Sequence, residues 1–220
     1  MARHERRTRL GQAATRHRTR RAVRCRLALL GAAFAVASAA QAGDDPRAVE
    51  IVQGKCFICH GADGESSSPA FPRLAGQHAR YIERQLGDYK SGKRKSSAMQ
   101  PMVEDLSGAD FKLLGAYFEA RKPQVHKVED TELAQVGRFV YQRGDPYSGV
   151  AACASCHGPN GAGTETLPRL AGQHAQYVEN QLKAFGQRER TNDNAVMHAV
   201  AAKLTELERK AVAAYLSGLN

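Results

Sequence analysis

Two five-residue stretches constrain this chain more than any other feature: "CFICH" at Cys56–His60 and "CASCH" at Cys153–His157. In each, two cysteines flank two other residues and a histidine follows at once. Four cysteines in an exported chain ordinarily suggest disulfides, so a pair of local Cys-x-x-Cys bridges is the competing reading. It leaves the repeated histidine unexplained, and no βαβ pattern of the kind that surrounds a thioredoxin-like motif is present. Zinc fits poorly, because adjacent Cys and His side chains seldom both reach one tetrahedral ion. On a tight helical turn, however, thiols three positions apart can form thioethers to the two vinyl groups of one haem. The next imidazole then reaches the iron. Cys56, Cys59, Cys153 and Cys156 are therefore candidate attachment residues, with His60 and His157 as candidate iron ligands.

The duplication extends well beyond these motifs. "PRLAGQHARYIERQL" starts at Pro72 and "PRLAGQHAQYVENQL" at Pro168, 96 residues later, with twelve of fifteen positions identical. A chain that repeats itself this closely is read as two small domains. Each half alone has a marginal core, and a covalently attached porphyrin supplies the staple that small domains need. Haem binding and folding are then expected to be coupled.

The second iron ligand follows from aligning the halves. Beyond Met1 the methionines are Met99, Met102 and Met197. Met99 stands seven residues before Leu106 and Met197 seven before Leu204, whereas Met102 aligns with Val200 and reads as packing. Met99 and Met197 are therefore the candidate partners of His60 and His157. Histidine ligation is the alternative: His198 adjoins Met197, and His78 and His174 recur within "AGQH". The latter two precede amphipathic segments and are expected at helix starts, facing solvent or a polar contact. Pro72 and Pro168 follow their histidines by 12 and 11 residues. Their carbonyls are candidates to accept the free ring N–H of a metal-bound imidazole, a role compatible with a plain loop stop.

Charge belongs to the front of the chain. Residues 1–26 hold ten arginines and one acid, and the apolar run "LALLGAAFAVASAA" and an Ala-Gln-Ala sequence follow. A basic front, a short apolar middle and a small-residue exit make residues 1–42 a secretory signal peptide, with an uncleaved anchor as the competing reading. Beyond it, 22 basic side chains face 21 acidic ones, which gives no support for nucleic-acid binding. The run "KSGKRK" (Lys90 to Lys95) reads as a solvated loop.

The remaining pattern is helical. Tyr81, Ile82, Leu86 and Tyr89, and their counterparts Tyr177, Val178, Leu182 and Phe185, trace one buried helix face per half. Ser107 with Asp110, and Thr205 with Glu208, are spaced as capping boxes. "DDPRAVEIVQGKC" and "TELAQVGRFVYQRG" read as opening helices, with Pro46 suited to a first turn. The expected fold is all-α. Residues 43–122 form the first domain, 123–130 a linker and 131–220 the second domain, whose extra loop "GDPYSGVAA" (Gly144 to Ala152) has no counterpart in the first.

Together, "CFICHG", "CASCHG", both "PRLAGQH" stretches and "RTNDNAVMHAVAAKL" resemble the dihaem cytochrome c4 family along the whole chain beyond the export segment. The resemblance implies two tandem class I cytochrome c domains, each enclosing one covalently bound haem c. It implies His60/Met99 and His157/Met197 as the axial pairs, and domains packed with approximate two-fold symmetry. It implies a periplasmic electron carrier, not an enzyme, that takes electrons from respiratory complexes or small donors and passes them to a terminal oxidase or another acceptor, in some members while attached to the membrane. The rival from another class is a dihaem enzyme, a peroxidase or thiosulfate dehydrogenase. A fixed electron-transfer subunit of a larger complex is a third reading.

Overall fold

A computed structural model describes residues 45–220; the expected export segment, residues 1–42, lies outside the described residues. Asp45 accepts a hydrogen bond from the Arg47 N–H and Pro46 occupies the first turn, so α1 (Pro46–Ile51) starts where its sequence dictates. It runs through a π-helical stretch, Val52–Cys56, into the short α2 (Phe57–His60). The first half continues with α3 (Ala79–Lys90), α4 (Gln100–Val103) and α5 (Gly108–Glu119). The second holds α6 (Thr131–Arg143), α7 (Ala154–His157), α8 (Ala175–Gly186), α9 (Val196–Ala201) and α10 (Glu206–Ser217). Among the described residues there is no strand, only an isolated antiparallel bridge between Asp145 and Val150 in the extra loop. The all-α expectation holds.

Capping boxes open α5 and α10: the Ser107 and Thr205 hydroxyls accept from the backbone N–H of Asp110 and Glu208, whose carboxylates accept in return. Behind these caps, α5 packs against α3 and α1, and α10 against α6 and α8. Ile51, Val52, Ile82, Leu114 and Phe118 anchor the first core, and Tyr141, Val178, Val212 and Leu216 the second. Both main crossings bring backbones close. A Cβ at Gly115 would lie 2.6 Å from the Ala79 carbonyl oxygen, and one at Gly137 only 1.8 Å from that of Ala211. No helix among the described residues is long and apolar enough to cross a membrane.

The buried face of α3 is more polar than its stripe predicts. Ile82 is buried as expected, but Gln85 and Asp88 are buried beside it. The reason is that the two halves meet here. The Gln77 side chain accepts from the Arg169 N–H (2.8 Å) and donates to the Arg169 carbonyl (2.9 Å). Gln173 does the same to Arg73, at 2.9 and 3.0 Å. His78 Nε2 bonds the Ala162 carbonyl and His174 Nε2 that of Ser66, at 2.7 and 2.8 Å. Each half's "PRLAGQH" thus grips the other half, with the expected polar contacts of His78 and His174 lying across the interface.

The reading of "KSGKRK" as a solvated loop needs correction at Lys90, which ends α3 and donates to the Leu106 carbonyl, and above all at Arg94. Arg94 is 7 % exposed. Its guanidinium donates to Gln85 of its own half (2.8 Å) and to Tyr177 and Gln181 of the other, both at 3.0 Å. Arg190 mirrors it, donating to Gln181 (2.8 Å), Tyr81 (3.1 Å) and Gln85 (2.9 Å). A guanidinium presents five donors in a fixed fork, which lets it leave water once several acceptors converge on it. The neighbouring Lys93 and Lys95 are exposed, as the loop reading expects.

Candidate haem sites

Both Cys-x-x-Cys-His motifs sit at the end of short helical turns. Cys56 closes the π-helical stretch, and Cys59 and His60 lie in the last turn of α2, which stops at Gly61 with φ of +75°. In the second half Cys153 caps α7, and Cys156 and His157 end it before Gly158, φ +79°. No disulfide joins any of these four cysteines among the described residues. Burial pushes Cys56 and Cys153 up to about 11, the opposite of the lowered thiol pKa that thiol oxidoreductases use.

His60 and His157 are each 6 % exposed. Their Nδ1 atoms donate to the carbonyls of Pro72 and Pro168, at 2.9 and 3.2 Å. Burial depresses both imidazoles' pKa, against the opposing pull of those carbonyls, so the rings are held neutral, the form that ligates metal. With Nδ1–H so engaged, Nε2 carries the free lone pair and has no hydrogen-bond partner among the described residues. Tyrosine hydroxyls brace the turns that follow: Tyr117 donates to the Ala62 carbonyl (2.8 Å) and Tyr141 to that of Gly158 (2.6 Å).

Met99 is half-buried at the N-terminal end of α4, packed against the same core as Cys56. Met197 is half-buried in the first turn of α9. Met102, read from sequence as packing, is 38 % exposed and outside the core cluster. His198 spends Nδ1 on the Phe185 carbonyl at 3.0 Å. With His78 and His174 bound across the interface, each of the histidine alternatives has a structural role of its own. No group of three or more His, Cys, Asp or Glu side chains among the described residues could hold a metal ion. Paired thiols one turn apart, a neutral imidazole with a free Nε2 and a thioether form a donor set that fits haem c.

Sequence reasoning placed Tyr81 and Tyr177 on buried helix faces but missed that they, with Arg73, Gln77, Gln85, Arg94 and their partners, form the interface between the halves. A signal was available: every one recurs 96 positions on, as Arg169, Gln173, Tyr177, Gln181 and Arg190. Polar residues kept in both copies are not needed for an apolar haem cage, and they mark what the copies do to each other.

Known proteins share this sequence and this fold. The Cytochrome c family profile matches twice, at residues 47–143 and 141–220. A cytochrome c4 of Azotobacter vinelandii is 41 % identical over 207 residues, covering 88 % of this chain and 95 % of the relative. A "thiosulfate dehydrogenase electron acceptor" of Thiomonas intermedia is 36 % identical, covering 87 % and 88 %. The crystal structure of reduced cytochrome c4 from Pseudomonas stutzeri superimposes with a TM-score of 0.76 at 38 % identity, over 81 % of this chain and all of that one.

Proposed function

From the premise that this chain belongs to the cytochrome c4 family, and so is a dihaem electron-transfer cytochrome with two covalent haem c groups, we propose the residues that hold the haems and the setting in which they work. Cys56 and Cys59 attach one group, and Cys153 and Cys156 the other. His60 with Met99, and His157 with Met197, ligate the irons. Each bound haem supplies a one-electron iron couple, and a methionine opposite histidine places its potential higher than a second histidine would.

The observation that carries this reading is the pair of Nδ1–carbonyl bonds at Pro72 and Pro168. They fix each ring's tautomer, direct Nε2 away from the backbone and strengthen it as a donor. The extended segment between α5 and α6 serves as the linker at 123–130. In its support, α6 packs against α10 rather than against the first half.

With a histidine and a methionine of this chain to hold each iron, a bound haem would be left without an open position for a substrate, and the chain would act as a carrier rather than an enzyme. Residues 1–42 direct export to the periplasm. The donors are respiratory complexes or other redox enzymes, with a terminal oxidase as acceptor; the relatives named as acceptors for thiosulfate dehydrogenase favour a place as recipient of electrons over a place as the dehydrogenase. The test is the visible spectrum of the oxidised holoprotein. A weak absorption at the red end reports methionine bound to oxidised iron. Met99→Ala and Met197→Ala should each remove about half of it, and the double variant all of it. An unchanged band in either single variant, or rapid peroxide turnover by the parent protein, refutes the assignment.

A further inference from the structure

The interface and the two candidate iron sites share a pair of peptide groups. The Pro72 carbonyl that accepts from His60 is one end of the peptide joining Pro72 to Arg73. The other end of that same peptide is the Arg73 N–H, and it donates to Gln173 Oε1, in the other domain, at 2.9 Å. The second domain repeats the arrangement. His157 donates to the Pro168 carbonyl, and the N–H of the same peptide, on Arg169, donates to Gln77 Oε1 at 2.8 Å. Neither glutamine is free to turn, because each also donates through Nε2 to the carbonyl of the arginine it holds, at 3.0 and 2.9 Å. Gln77 and Gln173 are 6 and 7 % exposed, so water does not compete strongly for these bonds.

We propose that each domain tunes the other's axial histidine through this relay: Gln173 sets the donor strength of His60, and Gln77 that of His157. The inference rests on the assignment of those two histidines as iron ligands. An amide whose N–H is engaged carries more negative charge on its carbonyl oxygen, because hydrogen bonds in a chain polarise one another by about 10–30 % each. A stronger acceptor at Nδ1 makes the imidazole more electron-rich at Nε2. That favours the oxidised metal and lowers the potential. Gln77 and Gln173 are positioning residues in this scheme, since neither touches the metal-binding side chains themselves. Because the relays run in opposite directions across one interface, docking of the halves sets both potentials together.

The experiment uses the full-length holoprotein and voltammetry resolved by site. A Met197→His background lowers the potential of the second-domain haem and leaves the first-domain wave identifiable; Met99→His serves the converse purpose. In the Met197→His background, Gln173→Leu should raise the first-domain reduced-to-oxidised ratio about threefold at fixed applied potential, roughly 30 mV at 59 mV per decade. The second-domain wave should stay in place. Gln77→Leu in the Met99→His background should shift only the second-domain wave. A glutamine that merely glued the halves would move both waves alike, and that result overturns the proposal. So does an unmoved first-domain wave while solution scattering reports the halves docked. If Gln173→Leu separates the halves, Gln173→Glu decides, since it keeps an acceptor for the Arg73 N–H. A first-domain wave at or below the parent's then supports the relay, and a rise equal to that of Gln173→Leu refutes it. Failure of the axial assignment itself is seen separately, as histidine backgrounds that leave both waves where they were.

Discussion

Replacing Gly137 by alanine tests how tightly the second haem site depends on the crossing of α6 and α10. The added Cβ would lie 1.8 Å from the Ala211 carbonyl oxygen, 2.3 Å from its carbon and 2.8 Å from the Val212 nitrogen. Ordinary contact between such atoms is about 3.5 Å, so the helices must part by roughly 1.5 Å or more at that point. All three neighbours are backbone, and no side-chain rotation relieves them. Overpacking of this kind costs about 1–3 kcal/mol, and a backbone clash belongs at the upper end. Alanine's better helix propensity returns about 1 kcal/mol. The net loss of about 2 kcal/mol should lower Tm by about 4–8 °C in a protein of this length.

The displacement has a second readout. Helix α6 carries Tyr141, whose hydroxyl braces the turn after His157 by bonding the Gly158 carbonyl. The red-end absorption of the second haem should therefore fade at a lower temperature than that of the first. The control is Gly87→Ala on α3, where an added Cβ meets nothing within 4 Å; it should be neutral or stabilise by up to about 1 kcal/mol. Thermal unfolding of the two variants decides the matter. A Tm for Gly137→Ala within a degree of the parent's, or equal to that of Gly87→Ala, would show that the crossing is not as close as the geometry requires.

Other consequences can be measured with the same material. Arg94→Leu leaves Gln85, Tyr177 and Gln181 short of a donor and should cost about 1–3 kcal/mol by denaturant midpoint, whereas Lys93→Ala and Lys95→Ala should cost almost nothing; equal effects at all three would restore the solvated-loop reading. The Asp110 carboxyl is held down to about 2 by the Ser107 backbone N–H and hydroxyl and by Arg47. A folded-state pKa below the unfolded one stabilises above the ordinary carboxylate range and loses that contribution as the carboxylate takes up protons. Asp110→Ala should thus cost about 1 kcal/mol near neutral pH and progressively less as pH falls from about 4 towards 2. A cost independent of pH across that window would mean that the cap does not depend on the carboxylate's charge.

Much of this molecule is local, and local structure is what a sequence specifies directly. Asp45 and Pro46 start α1, the Ser107–Asp110 and Thr205–Glu208 pairs start α5 and α10, and all of these are interactions within three residues. The Cys-x-x-Cys-His spacing is equally local. The bonds of His60 and His157 to Pro72 and Pro168 span only 12 and 11 residues. The repeat extends the range of such reasoning, because each half serves as an alignment for the other: it separates Met99 and Met197 from Met102.

What the hydropathy of either half does not show is the meeting of the halves. Gln77 and Arg169 are 92 residues apart, and Arg94 and Gln181 are 87 apart. Hydropathy assigns Gln and Arg to solvent whenever no acceptor is in view, so the pattern of one half alone cannot reveal that its polar residues are buried by the other. The chain by itself determines that there are two haem-binding units and which side chains are the candidates to hold the metal. Only the tertiary structure decides that these units face each other through "PRLAGQH", because a hydrogen bond between distant residues leaves no mark in the spacing of either.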